Sequence, residues 1–226
     1  MVYRTGYLGD TVVALPAFHA IRQHYFHDEI LLLSSRNPEV LTNPSDVLAG
    51  TGLVNGVVEY NLKTNGLERW WIFLLKERIK KLKPDLLIYL PPSSRDKRQV
   101  ERDKRFCKSC GIKKTLGLED FSVSEMRDTQ GRIKRVPREA EWLLGRLEKM
   151  GIPTQNAFQG LFSLFVHEKE KQTVDRIFYK ADNQNLVAFC AGGKTSTKKW
   201  PIERYEELGK RLIARYSIEP VIFGAR

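Results

Sequence analysis

Residues Val187 to Leu208 read V-A-F-C-A-G-G-K-T-S-T-K-K-W-P-I-E-R-Y-E-E-L. An apolar run from Leu186 to Ala191 stops at two glycines, Gly192 and Gly193. A loop rich in hydroxyls and lysines follows, and Trp200 and Pro201 open a helical pattern. Strand, polar loop and helix start is how an α/β protein presents backbone N–H groups and cations to a phosphate. In such sheets phosphates bind at the carboxyl ends of the strands, where this loop falls. The loop is therefore expected to hold the diphosphate of a nucleotide-linked substrate. Gly193, Lys194, Thr195, Ser196, Thr197 and Lys198 supply its backbone, hydroxyl and ammonium donors. G-G-K-T resembles part of a P-loop, but the first glycine of G-x-x-x-x-G-K-[ST] is missing.

Upstream of that loop the chain alternates strand-like and helix-like segments. Met1-Val2-Tyr3 reads as the end of a strand, and R-T-G-Y-L-G-D (Arg4–Asp10) follows at once. Its two glycines permit tight turns and close backbone approach. Asp10 or Thr11 is expected to cap the next helix, Thr11–His24, whose regular part begins near Leu15 because Pro16 suits a first turn. Glu29–Ser35, Val54–Tyr60 and Asp85–Leu90 read as strands. Asn37–Leu48 suggests a helix or two short turns. Trp70–Lys83 and Pro137–Met150 have helical apolar spacing, with Trp71, Phe73, Leu74, Ile79 and Leu82 marking the first. This alternation argues for a parallel, doubly wound sheet. Gly117–Arg135 reads as a surface loop, Thr154–Gly160 as a linker, and Glu168–Lys180 as a helix. Ile202–Arg215 is amphipathic and Glu219–Gly224 is a strand.

These shifts divide the chain into 1–165 and 166–226. Two strands and two helices are too little for a self-sufficient doubly wound sheet, so the second domain is expected to be incomplete at the C-terminus. The clipped first strand suggests a short N-terminus as well.

The 226 residues are 42% hydrophobic and carry a net charge of +11, enough apolar content for a core and enough charge to favour an anionic partner. The three cysteines are an odd, scattered set, unlike a secreted disulfide framework. No signal-peptide pattern opens the chain and no apolar run nears the length of a membrane span. A cytosolic protein is the simplest reading. Cys107-Lys-Ser-Cys110 is a single C-x-x-C pair without the second pair a zinc site needs, and His19, His24, His27 and His167 lack ligand spacing, so no metal site is expected. Ser93–Gly117 is the most basic segment, and a solvated face is its simpler reading. Asp10 lies at the presumed active edge of the sheet, where a carboxylate can take a proton from a substrate hydroxyl. Arg4 can meet an anionic acceptor or pair with a carboxylate.

R-T-G-Y-L-G-D-T-V-V-A-L-P-A-F-H-A-I resembles the opening loop and first helix of glycosyltransferase family 9, the ADP-heptose:lipopolysaccharide heptosyltransferases. A-G-G-K-T-S-T-K-K-W-P-I-E-R-Y-E-E-L resembles that family's second-domain signature around K-x-W-P. C-G-I-K-K-T-L-G-L and the helix around Glu141-Trp142 are similar to it too. The resemblance implies a GT-B fold, with two Rossmann-like domains facing across a cleft. The N-terminal one binds the acceptor and the C-terminal one the sugar nucleotide. It implies an inverting transfer without a cofactor or bound metal, the nucleotide-sugar being a co-substrate. Asp10, matching the L-G-D aspartate, is then the general base. Lys198, matching the lysine of K-x-W-P, stabilises the leaving diphosphate with Thr195, Ser196 and Thr197. Arg4, Gly9 and Thr11 are assigned to the acceptor, an anionic glycolipid met at the cytoplasmic face of the inner membrane. The family's later donor motifs do not occur in this chain, which leaves a non-catalytic fragment as one alternative. A basic nucleic-acid-binding domain is the other, but no helix-turn-helix, zinc-finger or RNP pattern supports it.

Overall fold

A computed structural model describes residues 1–37, 42–61, 68–119, 130, 132, 137–155, 162, 164, 166, 168–178, 185–192 and 199–223. The chain divides into two compact units, Met1–Phe165 and Val166–Arg226. Most of the Gly117–Arg135 segment, 156–160 of the linker, and 193–198 of the lysine-rich loop lie outside the described residues.

The first unit is built on five parallel strands: β1 (Val2–Tyr3), β2 (Leu31–Arg36), β3 (Gly56–Asn61), β4 (Leu87–Tyr89) and β5 (Thr115–Leu116). Their order across the sheet is β3-β2-β1-β4-β5. Both neighbours of β1 are known by register, Val2 lying beside Leu32 and Ile88, and Tyr3 beside Leu33 and Tyr89. Strand order reverses between β1 and β4. That point is where a doubly wound sheet opens a crevice at the strands' carboxyl ends.

Alternation along the strands decides what each face holds. Val2, Leu32 and Ile88 face helices α2 (Leu15–His24) and α6 (Glu139–Lys149), whose Phe18, Ile21, Leu143 and Leu147 are buried with them. Tyr3, Leu33, Leu87 and Tyr89 face α4 (Glu68–Leu82) and α5 (Lys97–Ser109), meeting Ile79, Cys107 and Cys110. Two short helices complete the unit, α1 (Leu8–Val12) and α3 (Pro44–Leu48).

α2 starts at Leu15 with Pro16 in its first turn, as the proline geometry requires. The segment before it does not join α2. It forms the separate helix α1, capped by Tyr7. Of the apolar residues that mark the helical spacing of α4, Ile79 is fully buried while Trp71, Phe73, Leu74 and Leu82 are exposed. β5 falls inside the basic segment and spans only two residues.

The second unit pairs β6 (Asn185–Cys190) with β7 (Ile218–Phe223) in parallel, and carries α7 (Glu168–Phe178) and α8 (Ile202–Tyr216). α8 lies on β6 through Phe189, which touches the space above Gly209 and the ring of Tyr205.

Candidate active site

The loop that leaves β1 at the strand-order reversal is held from below by Arg4. The Arg4 N–H donates to the Leu33 carbonyl at 3.0 Å, extending the β1–β2 ladder by one bond. Its side chain is 0% exposed. One guanidinium nitrogen donates to the Leu90 carbonyl after β4 at 3.2 Å, and the other donates to the Asp10 carbonyl. Glu139, at the start of α6, lies 3.7 Å away as its counter-charge. Glu139 also accepts from the Ser93 N–H at 3.1 Å and the Ser93 hydroxyl at 2.5 Å. The loops after β1 and β4 and the first turn of α6 are thus tied through one buried ion pair. Burial pushes the Arg4 guanidinium down to about 10, with Glu139 and then Asp10 opposing the shift. It stays charged at neutral pH. Of the two expectations for Arg4, the carboxylate pair is the one seen. A fully buried guanidinium has no surface to offer an acceptor.

Asp10 is placed by backbone geometry rather than by side-chain packing. It is the third residue of α1, and its Oδ2 accepts from the Tyr7 N–H at 2.8 Å, closing the N-terminal turn. It therefore reaches back to the cap rather than serving as the cap itself. Gly6 has φ +135°, and a Cβ there would lie 2.5 Å from the Asp10 Cβ and 2.8 Å from Oδ2. Only glycine allows that approach without displacing the carboxylate. Thr11 is buried, and its hydroxyl donates to the Tyr7 carbonyl at 3.0 Å. It braces the turn from inside, so the acceptor contact assigned to it is replaced by a structural bond. Gly9 is exposed, with open space where a side chain would stand. Among the described residues, no hydrogen bond engages the second carboxylate oxygen, Oδ1.

Beside this loop the α4–α5 face of the sheet encloses a cavity of about 720 Å³. Gly6 and Tyr7 border it, Trp71 and Ile72 of α4 form an apolar side, and Arg95 and Arg102 bring charge. Beneath Arg95 lies a polar network that single-residue reading of the sequence misses. The hydroxyls of Tyr89 and Tyr3 donate to Asp103 Oδ2 at 2.8 and 3.3 Å. Arg95 donates through Nε to the same oxygen at 3.0 Å, and through Nη2 to the Tyr3 hydroxyl at 2.8 Å. The two tyrosine rings stack with centroids 5.1 Å apart. Burial, reinforced by the Asp103 charge, raises the pKa of both phenols above its ordinary value, so both remain donors. Arg95 and Asp103 are only 12% and 9% exposed as side chains, so this part of the basic segment is not a solvated face. The visible signal was the stripe Val100, Asp103, Cys107, three positions of α5 on one buried face.

In the second unit the two ends of the lysine-rich loop are anchored on one tyrosine. Trp200 meets Tyr205 edge-on at 4.9 Å, and the Tyr205 hydroxyl donates to the Cys190 carbonyl at 3.4 Å. α8 then starts at Ile202 after Pro201. Lys199 and Trp200 are exposed. Gly193, Lys194, Thr195, Ser196, Thr197 and Lys198, the expected diphosphate cradle, lie outside the described residues. Cys107 and Cys110 are buried free thiols, and burial pushes Cys107 up to about 12. Among the described residues, no group of three or more His, Cys, Asp or Glu is placed to hold a metal ion.

No family model matches the sequence, and no curated protein matches it. Solved structures do match. The chain is similar to the glycosyl transferase family 9 protein of Veillonella parvula DSM 2008, with a TM-score of 0.70 at 16% identity. The match covers 99% of this chain and 62% of that one. The fold is that of the GT-B glycosyltransferases. The chain also matches E. coli heptosyltransferase WaaC in two solved forms. With ADP-2-deoxy-2-fluoro heptose the TM-score is 0.57 at 13% identity, over 100% of this chain and 70% of that one. With ADP it is 0.52 at 11% identity, over 100% and 69%. The chain thus spans 62% of the length of the V. parvula protein.

Proposed function

We propose that the protein is an inverting glycosyltransferase that moves a heptose or related sugar from a nucleotide-sugar, ADP-heptose by the WaaC likeness, to a lipopolysaccharide-core acceptor. The observation that carries this reading is the Asp10 carboxylate at the strand-order reversal, oriented through Oδ2 with Oδ1 unengaged among the described residues. In this mechanism Asp10 Oδ1 takes the proton of an acceptor hydroxyl. The hydroxyl oxygen attacks the anomeric carbon from the face opposite the nucleotide, and the bond from that carbon to the diphosphate oxygen breaks. Lys198 neutralises the charge that develops on the departing nucleoside diphosphate, supported by Gly193, Lys194, Thr195, Ser196 and Thr197. These lysines supply the cationic role, so the reaction is read as needing no metal or cofactor. The first unit is assigned to the acceptor and the second to the donor.

For the acceptor, the cavity offers an apolar side next to guanidinium groups, which suits an anionic glycolipid. Gly9, with open space where a side chain would stand, is assigned to the acceptor. Arg4 and Thr11 act through Asp10 and the turn that carries it. Such an acceptor places the protein at the cytoplasmic face of the inner membrane. No helix among the described residues is long and apolar enough to cross a membrane, which fits a peripheral contact. Isothermal calorimetry of the full-length protein with ADP and ADP-heptose tests the donor half. Binding of both, weakened together by Lys198→Ala, is expected. Failure to bind either contradicts the proposal, and tight DNA or RNA binding at physiological salt would put a nucleic-acid function in its place.

A further inference from the structure

The first two turns of α4 carry a patch of exposed apolar surface. Trp70, Trp71, Ile72, Phe73 and Leu74 are five consecutive large apolar residues, and each is between 39% and 58% exposed. Successive helix positions turn by about 100°, so five in a row sample every direction around the axis. None of the five is buried, so this end of the helix shows apolar surface to solvent, while Trp71 and Ile72 also line the cavity. Further along the helix, half-buried Leu75 and fully buried Ile79 pack into the core. Directly behind the apolar end comes a basic collar of Lys76, Arg78, Lys80, Lys81 and Lys83. Over residues 68–83 there are six Lys or Arg against two Glu. Glu77, the acid inside the collar, is itself paired with Lys80 at 2.8 Å.

We infer that the exposed apolar end of α4 docks the protein on an anionic bilayer, with Trp70, Phe73 and Leu74 in the interfacial layer and the collar among the headgroups. An apolar face followed by lysines is the composition of a helix that sits in a membrane interface. Fifteen residues rise about 22 Å, too short for the hydrocarbon core, and the charged second half bars insertion along the axis. A second copy of the chain is the poorer occupant, because pairing two such ends brings two basic collars together. Trp71 and Ile72 of the same turns line the cavity, so docking would present the cavity mouth to the lipid surface. The inference deepens the glycolipid reading by naming the surface that meets the lipid. Its test does not need the transferase reaction.

Cosedimentation with phosphatidylcholine vesicles, with and without phosphatidylglycerol, reads the docking, and tryptophan emission reports insertion. Wild type should bind the anionic vesicles, with a blue shift, and lose binding as salt rises. W70S/F73S removes two side chains that do not line the cavity and should lower the partition about tenfold or more. K80E/K81E should lower it similarly on anionic vesicles only. Thermal unfolding and ADP-heptose affinity should stay at wild-type values in both variants, which separates failure of docking from failure of the donor reading. Equal vesicle binding by wild type and W70S/F73S overturns the inference. So does a concentration-dependent dimer of the wild type that W70S/F73S abolishes, since the occupant is then a second copy.

Discussion

The two faces of the five-stranded sheet are covered by helices in the same number but to different ends. Toward α2 and α6, the side chains are Val2, Leu15, Phe18, Ile21, Leu32, Ile88, Leu143 and Leu147, all buried and all apolar. Toward α4 and α5, the sheet presents Tyr3 and Tyr89, and a carboxylate, a guanidinium and two thiols share the layer with Ile79 and Leu87. That second layer is also where the cavity opens. One face packs apolar side chains against apolar helices. The other gives up close packing for a polar floor beside the Asp10 loop.

The contrast is sharpest in stability. Phe18→Ala on the closed face should cost about 3–5 kcal/mol, seen as a lower denaturant midpoint, because nothing polar or mobile can refill the space. At the border of the open face, Gly6→Ala should cost about 1–3 kcal/mol through backbone strain. Unlike the Phe18 variant, it should also abolish transfer in the full-length protein, since the new Cβ meets Asp10. Normal transfer by that variant would remove the argument for Asp10's placement. Within the polar floor, Tyr89→Phe should cost about 0.5–1.5 kcal/mol, the value of one buried hydrogen bond. It should also change the alkaline limb. The folded phenols of Tyr3 and Tyr89 hold their protons above the ordinary value while unfolded phenols lose theirs near 10. Folded protein then binds more protons, so stability falls as pH rises through about 10. Tyr89→Phe should flatten that fall in denaturant titrations run from pH 8 to 11. The smallest effect is kinetic. Exposed Cys190 should react with a thiol reagent at once, and Cys107 and Cys110 only as the protein unfolds.

Much of this architecture is legible in the sequence, because it rests on local patterns. Short apolar runs between helical patterns gave a parallel doubly wound sheet, and Pro16 located the start of α2. What was not legible depends on distant residues meeting. Tyr3, Tyr89, Arg95 and Asp103 come from β1, β4, the loop after β4, and α5, and only the strand order places them around one oxygen. Arg4 is a similar case: a loop arginine beside glycines looks like a surface cation until Glu139 arrives from α6. α4 forms a helix where its spacing predicts one, but periodicity cannot say how much of an apolar stripe a core will cover. The expectation that Asp10 caps a helix was not met, because a bond back to the cap from the third helical position is a matter of backbone angles at Gly6 and Tyr7.

The central claim is that Asp10 takes the proton of the acceptor hydroxyl. The most direct test is the transfer rate of Asp10→Asn in the full-length protein, measured with ADP-heptose and a lipopolysaccharide-core acceptor alongside donor affinity by calorimetry. Asparagine keeps the shape and an oxygen for the Tyr7 N–H while removing the basic group. The account predicts a fall in kcat of about 10²–10⁴-fold with the donor Kd unchanged. A variant that keeps most of its transfer rate contradicts it.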